Sequence, residues 1–309
     1  MIANKIHTAI KLIVSDRRQL LMSIAEKFRF LFTNESFIKL RFRIMMGYRL
    51  NVNNPKTFCE KIQWLKLFNH HDLYHMMVDK LEVKDYVSKL IGSQYVVPTY
   101  AQYESFEQFN IAELPERFII KSSNGGGGGV LPCLDKKTLN LNAVKDIFDH
   151  MYNVDIYRLY GEWAYKDANP KVIVEELLVE NNNPGKPLTD YKFFCFNGEP
   201  TYCQVIKGRD SLETIDFFDQ DWNHLSFIGL NEKAIHSKTP IEKPARLNEM
   251  ISIARKLSHD IPFVRIDLYE VNERVYFGEI TFYPASGIGR FSPAEYDMIL
   301  GDKILLPNK

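Results

Sequence analysis

Four polar residues near the C-terminus have types and spacing suited to metal and phosphate chemistry. Arg265, Asp267, Glu279 and Thr281 occur in Val264-Arg-Ile-Asp-Leu and Phe277-Gly-Glu-Ile-Thr. Residues two apart in a strand share a face, so Arg265, Asp267 and Tyr269 point one way on one strand. Glu279 and Thr281 share a face on the next. A turn at Val271-Asn272-Glu273 would pair these strands and bring Asp267 close to Glu279. Two carboxylates on one sheet face repel each other unless a cation sits between them, and hard oxygen ligands suit Mg²⁺ bridging to phosphates. Arg265 beside them would balance negative charge developing on a transferring phosphoryl group. A solvated, salt-bridged sheet face is the competing explanation of the same residues.

A second constellation lies upstream. Five consecutive glycines, Gly125 to Gly129, follow Phe118-Ile119-Ile120-Lys121 and Ser122-Ser123-Asn124. Each glycine costs up to about 1 kcal/mol of conformational entropy against alanine, so such a run in a folded domain implies a close backbone approach to something. Placed after a buried strand, it can close over phosphates with its N–H donors. It is not a Walker loop, because no Gly-Lys-Ser/Thr ends it; a surface linker is the alternative. Lys121 at the end of an apolar strand must either snorkel out or meet an anion, and beside the glycines an anion is the better reading. Glu175 and Glu176 close the run Val172-Ile173-Val174, where a strand leading to a hinge could offer backbone groups to a flat heterocycle.

These residues need elements to hold them. The first ninety residues read as helical, with apolar residues three and four apart over Leu20–Phe32, Phe37–Met46 and Phe58–Phe68. Another helix is expected from about Asp72 through Leu90, stopping at Gly92. The period then changes. Short strands are expected at Val96-Val97-Pro98, at Phe118–Lys121 and at Val172–Glu176, with a helix over Leu141–Tyr152. Tyr191–Phe196 and Pro200–Ile206 flank Asn197-Gly198, a strong hairpin signal. Thr214–Phe218 follows, then a helix from Pro244 to His259, then the hairpin Phe263–Tyr269 with Arg274–Ile280. Helices followed by antiparallel hairpins give an α+β fold rather than regular βαβ alternation.

Composition narrows the classes. The 309 residues carry 39 Lys+Arg and 39 Asp+Glu, so no global charge favours nucleic acid as a partner. The four cysteines (Cys59, Cys133, Cys195, Cys203) form no C-x-x-C pair, and a reducing compartment fits them best. Among the histidines, His71 and His75 share a helix face, but without a third ligand a surface pair outweighs a metal pair. Before Arg17, Ile6, Ile10, Ile13 and Val14 have helical spacing, in a stretch too short to span a membrane. Packing on the body of the protein is the favoured reading there, with a membrane-surface helix as the alternative.

Together these segments resemble the ATP-grasp superfamily, and more closely its branch like the teichuronopeptide-biosynthesis protein TupA. The resemblance runs from about Asn54 to the C-terminus. Its most specific stretches are Asp79-Lys80 with Lys84, Phe118-Ile-Ile-Lys121-Ser-Ser-Asn-Gly-Gly and Val174-Glu-Glu-Leu-Leu. Asp190-Tyr-Lys-Phe-Phe-Cys-Phe-Asn-Gly, Val264-Arg-Ile-Asp-Leu-Tyr and Phe277-Gly-Glu-Ile-Thr-Phe-Tyr-Pro-Ala-Ser-Gly complete the set. The resemblance implies two α+β lobes clasping ATP behind an N-terminal helical region. Its expected divisions are residues 1–90, 91–175 with the glycine-rich loop, and 176–309 with the metal site.

It also implies roles. Lys80 and Lys121 would bind ATP phosphates under a lid that includes Gly125, Gly126 and Gly127. Glu175, Glu176 and Leu178 would hold the adenine, and Lys192 would reach the phosphates. Asp267 and Glu279 would bind Mg²⁺. Arg265 would stabilise the acyl-phosphate transition state, and Arg209 would grip the acceptor carboxylate. Thr281 stands where the family commonly has Asn, so its hydroxyl would ligate or support the metal.

The implied activity is Mg-ATP-dependent joining of a carboxylate to an amine through an acyl phosphate. The carboxylate would belong to a small molecule or saccharide, in a cytoplasmic setting or at the inner face of the membrane. Bacterial surface-polysaccharide synthesis is the implied context, with uronic-acid carboxyls amidated by amino acids or other amines. A glycosyltransferase, a phosphotransferase and a scaffold with a decayed site are the rival readings. The first usually needs a D-x-D acid pair at a strand end, and none is well placed here.

Overall fold

The computed structural model describes residues 17–125, 129–182, 187–208, 213–231 and 234–308. Gly126, Gly127, Arg209 and the amphipathic stretch before Arg17 lie outside the described residues.

Five helices lead: α1 (Arg17–Lys27), α2 (Asn34–Met46), α3 (Phe58–Phe68), α4 (Leu73–Val78) and α5 (Val83–Ile91). Local chemistry sets their ends. Thr57 and Glu60 form a reciprocal capping box at the start of α3. Thr33 caps α2, and Gly47 ends it in the left-handed conformation. The continuous helix expected from Asp72 to Leu90 is two helices. Between them the Asp79 backbone turns extended (ψ 119°), and its Oδ1 accepts the N–H groups of Leu81 and Glu82. An aspartate that satisfies downstream amides starts a new turn more readily than it continues an old one.

A four-stranded antiparallel sheet comes next, in the order β1 (Thr99–Tyr103), β4 (Val172–Glu175), β2 (Phe118–Ser122), β3 (Val130–Cys133). Val96-Val97-Pro98 is not a strand; the ladder begins at Thr99, and the Pro98 carbonyl takes the Glu176 N–H instead. Helix α6 (Leu141–Asn153) covers one face, its Val144, Ile147, Phe148 and Met151 packing on Phe118, Ile120, Val172 and Val174. Strand alternation therefore puts Ile119, Lys121, Ile173 and Glu175 on the opposite face.

The second sheet has six strands: β11 (Arg274–Thr281), β10 (Phe263–Val271), β5 (Asp190–Phe196), β6 (Glu199–Lys207), β7 (Thr214–Phe218) and β8 (His224–Leu225). The β5–β6 turn is Asn197-Gly198, with φ of 51° and 84°. Such positive φ values suit a two-residue hairpin. The register sets Asp267 opposite both Glu279 and Lys192, Arg265 opposite Thr281 and Phe194, and Phe263 opposite Phe196. Directly paired residues point to the same side, so one sheet face is apolar at one end and charged at the other.

Phe58 of α3 seats on the apolar end, with its ring centroid 4.9 Å from Phe263, 6.3 Å from Phe194 and 5.6 Å from Phe291. Residues from α3, α4 and α5 share a single core with this sheet, whereas the four-stranded sheet and α6 enclose a separate one. Truncating Phe58, fully buried in that joint core, costs about 3–5 kcal/mol on the usual scale for aromatic core deletions.

Candidate active site

The charged end of the six-stranded sheet is an ion cluster. Arg265 Nε lies 2.6 Å from Asp267 Oδ1 and its Nη2 2.8 Å from Oδ2. The same Nη2 donates to Glu279 Oε1 at 3.0 Å and to Thr281 Oγ1 at 3.0 Å. Lys192 bonds directly to Asp267 and lies 3.6 Å from Asp190. Lys80 Nζ closes the cluster 3.3 Å from Glu279 Oε2. The cation required between Asp267 and Glu279 is thus first of all Arg265.

Three acids, Asp190, Asp267 and Glu279, face three cations, Lys80, Lys192 and Arg265. Burial opposes the charge on Glu279, yet Lys80, Lys192 and Arg265 together hold it well below the ordinary carboxylate range. Burial pushes Asp267 up, opposed by Arg265 and Lys192. Burial likewise disfavours the Arg265 charge, but Asp267 and Glu279 outweigh it and keep the guanidinium protonated. The two carboxylates differ in access: the Glu279 side chain is 32% exposed and that of Asp267 only 2%.

Oxygen donors from Asp267, Glu279 and Thr281 suit a hard divalent cation. With the local charges already balanced, such a cation would be favoured when accompanied by anionic phosphates. The oxygens of both acids face cations, but the Glu279 side chain is partly exposed where that of Asp267 is enclosed, so Glu279 is the ligand an incoming cation can reach, with Thr281 beside it. The residues fit Mg²⁺ carried on a polyphosphate.

Lys80 owes its position to the break between α4 and α5. Its backbone N–H donates to the Ser123 carbonyl at 2.7 Å, and the Ser123 hydroxyl donates to Asp79 Oδ2 at 2.5 Å. The break therefore ties the helical region to the segment after β2 and aims Lys80 at the neighbouring sheet. Nearby, a Cβ at Gly125 would lie 2.5 Å from the Tyr165 hydroxyl, so any side chain there would require that phenol to shift.

A second cluster lies on the face of the four-stranded sheet turned away from α6. Glu175, buried, pairs with Lys121 through one carboxylate oxygen and with Lys84 through the other at 2.5 Å. Lys84 also donates to the Val97 carbonyl at 2.8 Å. Lys121 meets its anion within the protein, diagonally across β2 and β4. With the Glu175 carboxylate engaged, the half-buried, non-strand segment Glu176–Leu178 is what remains for a flat ring.

The loop after β11 is held from below. Ala285 and Ser286 adopt φ of 46° and 54°, which non-glycine residues visit only when the surroundings over-determine them. Gln63 donates to the Ser286 and Gly287 carbonyls at 2.9 and 2.7 Å. Lys66 donates to the Ser286 carbonyl at 2.8 Å, and Arg41 to its hydroxyl at 2.7 Å. Burial pulls Lys66 down to about 7, although Glu162, 3.7 Å away, favours its charge.

Lys80, Lys192, Arg265, Asp267, Glu279 and Thr281 are therefore brought together, while Lys121, Glu175, Glu176 and Leu178 form a separate group. Two participants had no role in the sequence reading. Asp190 could have been found, since it shares a strand face with Lys192. Tyr165 left no signal. His71 and His75 do not form a pair: His71 contacts Asn69 Oδ1 and His75 the Ala164 carbonyl, each at 3.0 Å.

The chain matches the family model for TupA-like ATP-grasp proteins over residues 60–305. Among curated proteins, none matches it. Solved structures with a similar fold include the D-alanine-D-alanine ligase of Helicobacter pylori, at 16% identity and a TM-score of 0.41 over 75% of this chain and 62% of that one. The Bacillus anthracis enzyme of the same name matches at 16% and 0.41, over 73% and 65%. The N5-carboxyaminoimidazole synthase of Aspergillus clavatus, with ADP and its ribonucleotide, matches at 14% and 0.35, over 67% and 44%. The chain thus spans less than two thirds of the length of each of these proteins.

Proposed function

The chain belongs to the TupA-like ATP-grasp family, and on that premise we propose that it is a Mg-ATP-dependent carboxylate–amine ligase. The observation that carries the reading is the partly exposed Glu279, faced by Lys80 and Arg265 at the charged end of the six-stranded sheet. In this proposal Glu279, supported by Thr281 and Asp267, holds Mg²⁺. Bound there, the ion would screen the polyphosphate and polarise its terminal phosphorus.

Lys80 exchanges Glu279 for phosphate oxygens, and Lys121 and Lys192 reach the phosphates from the two sheets. Gly125, Gly126 and Gly127 cover them with backbone donors, and Glu176 and Leu178, with Glu175 behind them, hold the adenine. A substrate carboxylate oxygen attacks the γ-phosphorus and ADP leaves. Arg265 offsets the charge gained at the transferring group. The amine nitrogen then attacks the acyl carbon, and inorganic phosphate leaves with the acyl oxygen. Arg209 is assigned to the acceptor carboxylate.

The division into a helical region (residues 1–90), a small lobe (91–175) and a large lobe (176–309) belongs to the same proposal. So does a uronic-acid carboxyl of a bacterial surface polysaccharide or its precursor as acceptor, which rests on the family's namesake. Among the described residues no helix is long and apolar enough to cross a membrane.

Calorimetric titration with a non-hydrolysable ATP analogue, with and without Mg²⁺, tests the reading. Mg-dependent micromolar binding that disappears in Glu279→Gln is expected, followed by ADP release when uronic acids and amines are supplied together. Binding of a sugar nucleotide in place of ATP would overturn the reading in favour of glycosyl transfer. ADP release without need of an amine would favour phosphotransfer.

A further inference from the structure

At the far edge of the six-stranded sheet, three metal-ligating side chains converge that take no part in the site above. Asp216 lies in the middle of β7 with its carboxylate buried, and His224 opens β8. His236 follows Ile235, which bridges to Thr214 and whose carbonyl accepts the Ile215 N–H at 3.0 Å. Strand β6 occupies one edge of β7 along its whole length, so β8 and the Ile235 segment both lie on the other edge. Each returns one imidazole to the same carboxylate. His224 Nε2 is 2.8 Å and His236 Nδ1 3.0 Å from Asp216 Oδ1, and the three potential donor atoms lie within 4.8 Å of one another.

We propose that Asp216, His224 and His236 form a binding site for a zinc-class divalent ion that staples the loop after β7 to the sheet edge. The two carboxylate–imidazole separations approach the roughly 3.3 Å edge of a tetrahedron with bonds of about 2.0–2.1 Å, the spacing of zinc ligands, and the third donor pair lies within 4.8 Å. Two borderline imidazole nitrogens beside one hard carboxylate favour Zn²⁺ and its neighbours over Mg²⁺, which prefers an all-oxygen shell. The Ser237 N–H donates to Asp216 Oδ2 at 3.1 Å and so orients the carboxylate from outside the ligand set. The His224 side chain is 46% and the His236 side chain 32% exposed, so ions can enter and water can complete the coordination.

Four strand spacings, about 19 Å, separate β7 from the strand of Glu279, so the ion would not share the phosphate site. The proposal is independent of the ligase reading. Its role is structural, because an ion bound only by the folded chain stabilises that chain.

Chelator-treated full-length protein, with Mg²⁺ held in excess to occupy oxygen sites, would be titrated with Zn²⁺ alone. One equivalent per chain is expected, with affinity falling at least tenfold in His224→Gln and in His236→Gln. Nucleotide binding should be unchanged in both variants, which also reports that they fold. Co²⁺ should give the visible absorption of a four- or five-coordinate nitrogen-containing site in the wild type and lose it in the double variant. A wild type that takes up no more Zn²⁺ than the double variant would overturn the proposal, leaving two imidazoles that only hydrogen-bond to Asp216.

Discussion

Two lysine–carboxylate clusters, one around Glu175 and one around Glu279, differ in which partner is buried. Around Glu175 the acid is enclosed and its lysines reach outward: the side chains of Lys84 and Lys121 are 14% and 20% exposed, against 2% for Glu175. Around Glu279 the order is reversed, for Lys192 and Asp267 are enclosed while Glu279 itself is open. A buried acid with two outward lysines is a holder that fixes cations in place. An open acid that has been stripped of its proton affinity by three cations can exchange a partner. On the proposed reading, the first cluster would present positive charge to a ligand and the second would take up a metal.

The largest test of this contrast is Glu279→Gln, which should lower turnover about 10²- to 10³-fold, the usual loss for one preorganised electrostatic group. Its melting temperature should fall only modestly, because the lost pairs with Lys80 and Arg265 belong to a partly exposed acid. Glu175→Gln should do the opposite. Removing one partner of a buried pair costs about 3–5 kcal/mol, so thermal unfolding should show the loss before any change at saturating nucleotide is seen. If Glu175→Gln kept its stability and lost turnover, the two clusters would have the reverse roles.

Lys80→Ala should weaken nucleotide binding about tenfold without loss of stability, since its partner Glu279 is already open to water. Lys121→Ala should weaken it less, because Lys84 still holds Glu175; titration of both variants ranks them. An equal effect would mean that the clusters contact the phosphates alike.

The smallest effect concerns the buried base beneath the post-β11 loop. The unfolded chain keeps Lys66 protonated up to about 10.4, while the folded protein releases that proton near 7. Between these values the unfolded state binds the extra proton, so stability rises with pH. Below about 7 the cost of burying the charge is fully present. Relative to Lys66→Met, wild-type stability should therefore increase from pH 7 to 9, as denaturant unfolding at several pH values would show. Parallel profiles would mean that Lys66 stays charged against Glu162.

Much of the fold could be read from the residues because its determinants are local. Period-two alternation and the Asn197-Gly198 turn located both hairpins of the six-stranded sheet, and the pairing of Asp267 with Glu279 followed from strand geometry alone. Capping chemistry located α3 within a residue. Two expectations differ from the structure. The 72–90 helix is interrupted at Asp79, which takes the Leu81 and Glu82 amides locally while the Lys80 N–H reaches the distant Ser123 carbonyl, and the strand expected at Val96–Pro98 starts only at Thr99, where the partner strand β4 begins to pair. The sequence reading also set the histidines aside, since Asp216, His224 and His236 meet only when β7 acquires its outer edge.

By itself, then, the sequence determined which faces carry charge, where the hairpins turn and which family the motifs belong to, since each depends on neighbours a few residues apart. Tertiary structure decided the partners. Arg265 rather than a metal alone separates Asp267 from Glu279, and Lys121 answers to Glu175. Three helical residues (Arg41, Gln63 and Lys66) hold a loop more than two hundred positions away. Electrostatic attraction acts through space, and beyond neighbours on one helix, such as Glu35 with Lys39, spacing along the chain does not encode which cation reaches which acid.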